Sequence, residues 1–232
     1  GIASRGLGDV YKRQIYDITN PFPDPYCSDK ECQTTWEYTS ARIITSSNKT
    51  VNPGNEITVC FKVPDGTGHW PAIWMLPQGF IEGNKTWPQD GEIDLMEARG
   101  RVPQAIGAAI HFANSNNSNQ YISHEVTVPM NVNFQDKFHS ITFKWIEDVI
   151  EMYLDTNSEP FYSEGKNSTP FNNANYPFNE EFYLLFNVAS GGNFDSNQID
   201  QSKYCNDEQC SNLSNPDKGR FIIDYIEIKS ID

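Results

Sequence analysis

The chain has 232 residues, with 17 basic against 31 acidic side chains and a formal charge of −14. Phosphate polymers and anionic membrane surfaces reward Lys and Arg, so nucleic acid and membrane are disfavoured as partners. Aromatic residues make up 13% and charged residues 21%, a balance unlike that of disordered chains, and no apolar run reaches the ~18 residues that would mark a bilayer span.

Gly1 to Gln14 shows no strand or helix period and lacks the roughly 7–15-residue apolar core of a signal peptide. Residues 1–14 are therefore expected to be non-native or unstructured. Residues 15–232 are expected to form a single domain whose own beginning, with any export signal, is missing. Cys27 and Cys32 follow in a polar stretch with C-x4-C spacing, which Cys205 and Cys210 repeat near the other end. Zinc ribbons favour C-x2-C, and only four His are present. Loop disulfides of a secreted protein are the preferred reading, with reduced thiols as the alternative. Cys60 is left unpaired. Asn-x-Ser/Thr occurs at Asn48, Asn84, Asn116, Asn167 and Asn212, little more than this composition gives by chance.

Strict apolar–polar alternation begins at Glu56–Val63, with Ile57, Val59, Phe61 and Val63 on one face. It recurs at His139–Trp145, Val149–Leu154, Phe182–Val188 and Arg220–Ile228, with Pro and Gly turns between. This pattern predicts an antiparallel β-sandwich or jelly roll without repeats or linkers.

The most informative strand is Asp90–Gly100. Glu92 and Asp94 fall on one face, and strict alternation would send Glu97 to the other. A β-bulge near Leu95–Met96 would return Glu97 to its acidic neighbours. Crowding and burial then raise at least one carboxyl pKa, which suits a pair acting as nucleophile and proton donor. A solvated acidic edge or a calcium site would carry the same acids. Trp70, Trp74 and Trp87 lie within 18 residues of one another beside these acids, and indole offers a flat platform to the C–H faces of sugars. Core packing is expected for Trp70 and Trp145.

In order and spacing, GHWPAIWMLP, GEIDLMEARG, AIGAAIHF, FHSITFKW, FYLLFNVASGGNF and FIIDYIEIKS resemble glycoside hydrolase family 16, in its laminarinase-like branch, from about Tyr38 to Lys229. The resemblance implies an all-β, concanavalin A-like jelly-roll sandwich of two antiparallel sheets with a concave substrate cleft. It implies that Glu92 is the nucleophile, Glu97 the acid/base, and Asp94 the residue that orients them. Trp74 and Trp87 match sugar-stacking positions, and His111 and Asn187 match cleft positions, with a structural role the alternative for His111 and the preferred one for His139. The implied activity is that of a secreted, monomeric, endo-acting retaining hydrolase of 1,3-β-glucan, because ExDxxE differs from the ExDxE of lichenases. A mixed-linkage glucanase, agarase, carrageenase or non-catalytic glucan-recognition protein would share much of the pattern. No cofactor is implied for catalysis; Asp224 matches an aspartate that holds a structural calcium in relatives. Glu56 and Cys60 stand where the family commonly has arginines, which leaves subsite contacts or sheet-surface pairing there open.

Overall fold

In the computed structural model the described residues are 38–40, 42–45, 49–205 and 219–231, together with the backbone of short paired strands between 12 and 36. Those short strands are β1 (Lys12–Arg13), β2 (Ile15–Tyr16), β3 (Phe22–Pro23), β4 (Thr35–Trp36) and β5 (Tyr38–Thr39). The sandwich follows as β6 (Arg42–Ile44), β7 (Thr50–Val51), β8 (Asn55–Lys62), β9 (His69–Pro77), β10 (Glu92–Ala98) and β11 (Ala105–Ala113). It continues through β12 (Asn119–Thr127), β13 (His139–Ile146), β14 (Val149–Leu154), β15 (Tyr162–Gly165), β16 (Phe182–Ser190) and β17 (Arg220–Ser230).

One sheet has the order β1-β17-β8-β13-β14-β15, and the other β12-β11-β10-β9-β16-β6 with β7 also on β16. All pairings in both are antiparallel. This is the expected jelly-roll sandwich. Lys12 and Arg13 pair with Phe221 and Arg220, so strand pairing reaches into the segment set aside for its lack of period. A two-residue strand is too short to show periodicity.

Alternation builds the core. Ile57, Val59 and Phe61 from β8 and Ile141, Phe143 and Trp145 from β13 are fully buried against Ile93, Leu95 and Met96 from β10. Residues i and i+2 of a strand share a face, so each of these strands turns its other set outward. Glu56 lies 3.7 Å from Lys144 on the outer surface of the first sheet, opposite the core. The positions that depart from the family pattern are thus sheet-surface positions and not part of the second sheet. Trp145 is fully buried, and His139 bonds Asp155 Oδ2 through Nδ1 at 2.8 Å, a structural role as expected.

Cys205 is disulfide-bonded, while Cys27, Cys32 and Cys210 lie outside the described residues, and with them both proposed pairings. Cys60 is the free thiol among the described residues. No helix among them is long and apolar enough to cross a membrane.

Candidate active site

The outer face of the second sheet carries the acids, and the register of β10 explains how. Against β11, Asp94 pairs with Ala109 and Glu97 with Gly107, three steps on one strand for two on the other. Against β9, Asp94 pairs with Trp74 but Met96 with Ile73, which localises the extra residue to Leu95. Leu95 and Met96 both enter the core, each fully buried, and Glu97 emerges on the face of Glu92 and Asp94. The bulge is where the sequence required it.

The turn that launches β10 is constrained as well. Gly91 has φ +85°, and a Cβ there would sit 2.9 Å from the Phe178 ring, so both backbone angle and space select glycine. Asp90 Oδ2 accepts from the Thr86 amide at 2.8 Å, which ties down the loop that presents Trp87.

Each glutamate receives an indole N–H. Trp87 Nε1 donates to Glu92 Oε2 at 2.9 Å, and Trp70 Nε1 donates to Glu97 Oε1 at 2.8 Å. Trp70 therefore does not belong to the core, contrary to the sequence reading: its ring stacks on Phe194 with centroids 4.8 Å apart, and it points to the acids. The signal was available, because Trp70, Ala72 and Trp74 share one strand face. Trp74 donates to Asn187 Oδ1 at 2.6 Å and rests on a small apolar cluster of Leu76, Tyr183 and Leu185. Asp94 is buried, and its Oδ2 lies 3.3 Å from His111 Nε2 without forming a hydrogen bond. The His111 ring lies between those of Trp87 (6.1 Å) and Tyr121 (5.6 Å). Tyr121 went unnoticed in the sequence because β12 is exposed along most of its length and shows no apolar alternation.

Electrostatics follow from this crowding. Burial, then the charge of Asp94, pushes the Glu92 carboxyl up to about 8. Asp94 is held well above the usual carboxylate range by burial and then by Glu97. Burial raises Glu97 as well, against the opposing pull of the Trp70 hydrogen bond and of His111. Three ionised carboxylates do not coexist here near neutral pH; the cluster retains protons, as an acid/base pair requires.

Glu92, Asp94, Glu97, Trp74, Trp87, His111 and Asn187 are thus gathered on one face. Asp224 is not. It occupies the bulge of β17 in the opposite sheet, exposed, between Ile223 and Tyr225.

The glycosyl hydrolases family 16 model matches residues 20–206. Glucan endo-1,3-beta-glucosidase A1 of Niallia circulans is 38% identical over 165 residues, covering 68% of this chain and 23% of its own length. A glucan endo-1,3-beta-glucosidase of Cryptopygus antarcticus is 34% identical over 163 residues, covering 68% of this chain and 57% of its own. The chain thus spans less than two thirds of either relative. The endo-beta-1,3-glucanase structure from Pyrococcus furiosus superposes with a TM-score of 0.75 at 25% identity, covering 97% of this chain and 76% of that one. Together, sheet order, bulged acidic strand and sequence match place the chain in glycosyl hydrolase family 16.

Proposed function

We propose that the protein is an endo-acting, retaining 1,3-β-glucanase. The observation that carries this reading is the bulge at Leu95, which sets Glu92, Asp94 and Glu97 on one face beneath indole donors. In the first step Glu97, protonated, gives its proton to the leaving glycosidic oxygen while Glu92 attacks the anomeric carbon. In the reactive state Asp94 holds the proton that the pair shares, which removes the charge that otherwise raises Glu92 and leaves the nucleophile ionised. In the second step Glu97, now a carboxylate, takes a proton from water as that water displaces Glu92. Trp74 and Trp87 offer ring faces to the sugars on either side. The names of the two glucosidase relatives support the 1,3 linkage, and the disulfide at Cys205 supports an oxidising, extracellular setting. A structural calcium at Asp224 remains part of this proposal, with its further ligands sought near the start of the chain.

Azide separates the roles with an activated aryl glycoside. Glu92→Ala should be inactive until azide enters the nucleophile's place and gives the α-glycosyl azide. Glu97→Ala should give the β-azide from a slowly released glycosyl-enzyme. Identical products from both variants would refute the assignment. Product release from laminarin, barley glucan, agarose and carrageenan tests the linkage. Relatives of this chain include the beta-1,3-glucan-binding protein of Penaeus monodon, 32% identical over 174 residues. Binding to laminarin without any release of reducing ends would favour that second reading.

A further inference from the structure

The contact between His111 and Asp94 is chemically unusual. His111 Nδ1 lies 3.3 Å from Asn119 Oδ1, an atom that only accepts, so Nδ1 carries the ring proton there. In the neutral ring Nε2 then presents a lone pair on the side of Asp94. Asp94 Oδ2 is buried, 3.3 Å away, and has no hydrogen-bond partner. Two acceptors held this close repel unless a proton or a metal cation lies between them, and Asn119 occupies the place of the outer partner that fixes a metal-binding histidine.

We propose that Glu92, Asp94 and His111 form a binding site for a divalent transition metal of the zinc class, and that such a metal blocks the acids. One ligand atom from each of the three lies within 4.8 Å of the other two. Zinc takes nitrogen and carboxylate ligands at ~2.0–2.2 Å in a tetrahedron, which sets neighbouring ligand atoms about 3.4 Å apart. The His111–Asp94 separation of 3.3 Å already matches. In a tetrahedral chelate each donor axis passes about 35° to the side of its neighbour, so close approach without hydrogen-bond alignment is the expected geometry. Glu92 and His111, each partly exposed, leave a route from solvent and a fourth position for water. One nitrogen and two carboxylates favour zinc, copper or nickel over magnesium and calcium, which seek more oxygen ligands. A metal here occupies Glu92 and Asp94, so it excludes the sugar at the point of attack.

The test uses the whole protein and zinc chloride by titration calorimetry, without polysaccharide, so its outcome is independent of the glucanase reading. One site per chain is expected, reversed by EDTA and absent with magnesium. His111→Asn and, as a second variant, Asp94→Asn should each weaken zinc at least tenfold while retaining the wild-type circular dichroism. His124→Gln alters an exposed histidine 3.7 Å from Glu164 and should leave zinc affinity unchanged. On laminarin, zinc should raise KM and leave kcat unchanged. Equal zinc affinity in wild type and folded His111→Asn or Asp94→Asn protein would overturn the site. So would loss of zinc binding in His124→Gln, or only weak multi-site heats from surface carboxylates.

Discussion

Trp70 donates its only polar hydrogen to Glu97 Oε1 while its ring stacks on Phe194, which in turn lies 5.4 Å from the Arg99 guanidinium carbon. The side chain therefore has one position and one electrostatic effect: a donor on a carboxylate favours the ionised form. Burial raises Glu97 and this bond opposes it. Trp70→Phe keeps most of the stacking surface and removes only the donor. The Glu97 proton should then be held more tightly, so the alkaline limb of the kcat/KM profile should move to higher pH. A loss of about tenfold in kcat is expected as the carboxyl loses its fixed orientation, in line with other single hydrogen bonds to charged groups. An unmoved alkaline limb, measured across pH 5–9, would show that the bond does not tune Glu97.

At the scale of the element, β10 departs from two-residue periodicity at a single residue, Leu95, and the whole acid constellation depends on it. At this length the extra residue keeps Glu97 on the acid face. Deleting Leu95 leaves Glu92-Ile93-Asp94-Met96-Glu97, whose strict alternation also keeps Glu97 there, with the loss of one buried side chain. Loss of a fully buried leucine costs about 2–5 kcal/mol. The acids stay on one face, so hydrolysis of laminarin should be reduced, because Glu97 shifts relative to Glu92, but remain detectable, with a lowered thermal midpoint. Folded deletion protein without detectable turnover would show that alternation alone does not hold the acids together. The bulge was legible because the apolar set Ile93, Leu95, Met96 and Ala98 fits no unbroken alternation. Glu97 toward its neighbours required one extra residue. The five alternating segments named from the sequence are strands for the same reason. What escaped was set by three dimensions. Trp70 meets Glu97 through neighbouring strands, and Tyr121 joins His111 only through the β11–β12 register, in which the two residues are direct partners. Neither pairing leaves a mark in local composition, although the strand face that Trp70 shares with Trp74 does.

The molecule as a whole carries an excess of acid, and its stability should depend on pH in a definite direction. Glu92 is raised from 4.5 to about 8, and Asp94 and Glu97 are raised with it. The folded state therefore binds protons that the unfolded chain has released, so stability falls as pH climbs between about 4.5 and about 8. His139 adds the same sign: its raised pKa comes from its hydrogen bond to Asp155, and that stabilisation is present below the unfolded value of 6.5 and lost as pH rises through the folded one. Asp155, lowered mainly through His139 and the Ser140 amide despite its burial, contributes above 3.8 and loses its contribution as pH falls through its depressed value. The two trends together place the stability maximum on the acid side of neutrality, near pH 5. General repulsion at a formal charge of −14 steepens the alkaline decline. Chemical denaturation at pH 5, 6.5 and 8 should show wild-type stability falling by on the order of 1 kcal/mol per pH unit at its steepest. Glu92→Gln keeps the shape and removes one titration, so its curve should be flatter and should lie above the wild type at pH 8. Catalytic competence and stability are then opposed in the same three side chains: the burial that keeps a proton available for the leaving oxygen is the burial that strains the fold as pH rises. Parallel curves for wild type and Glu92→Gln would separate the two and locate the pH dependence elsewhere in the molecule.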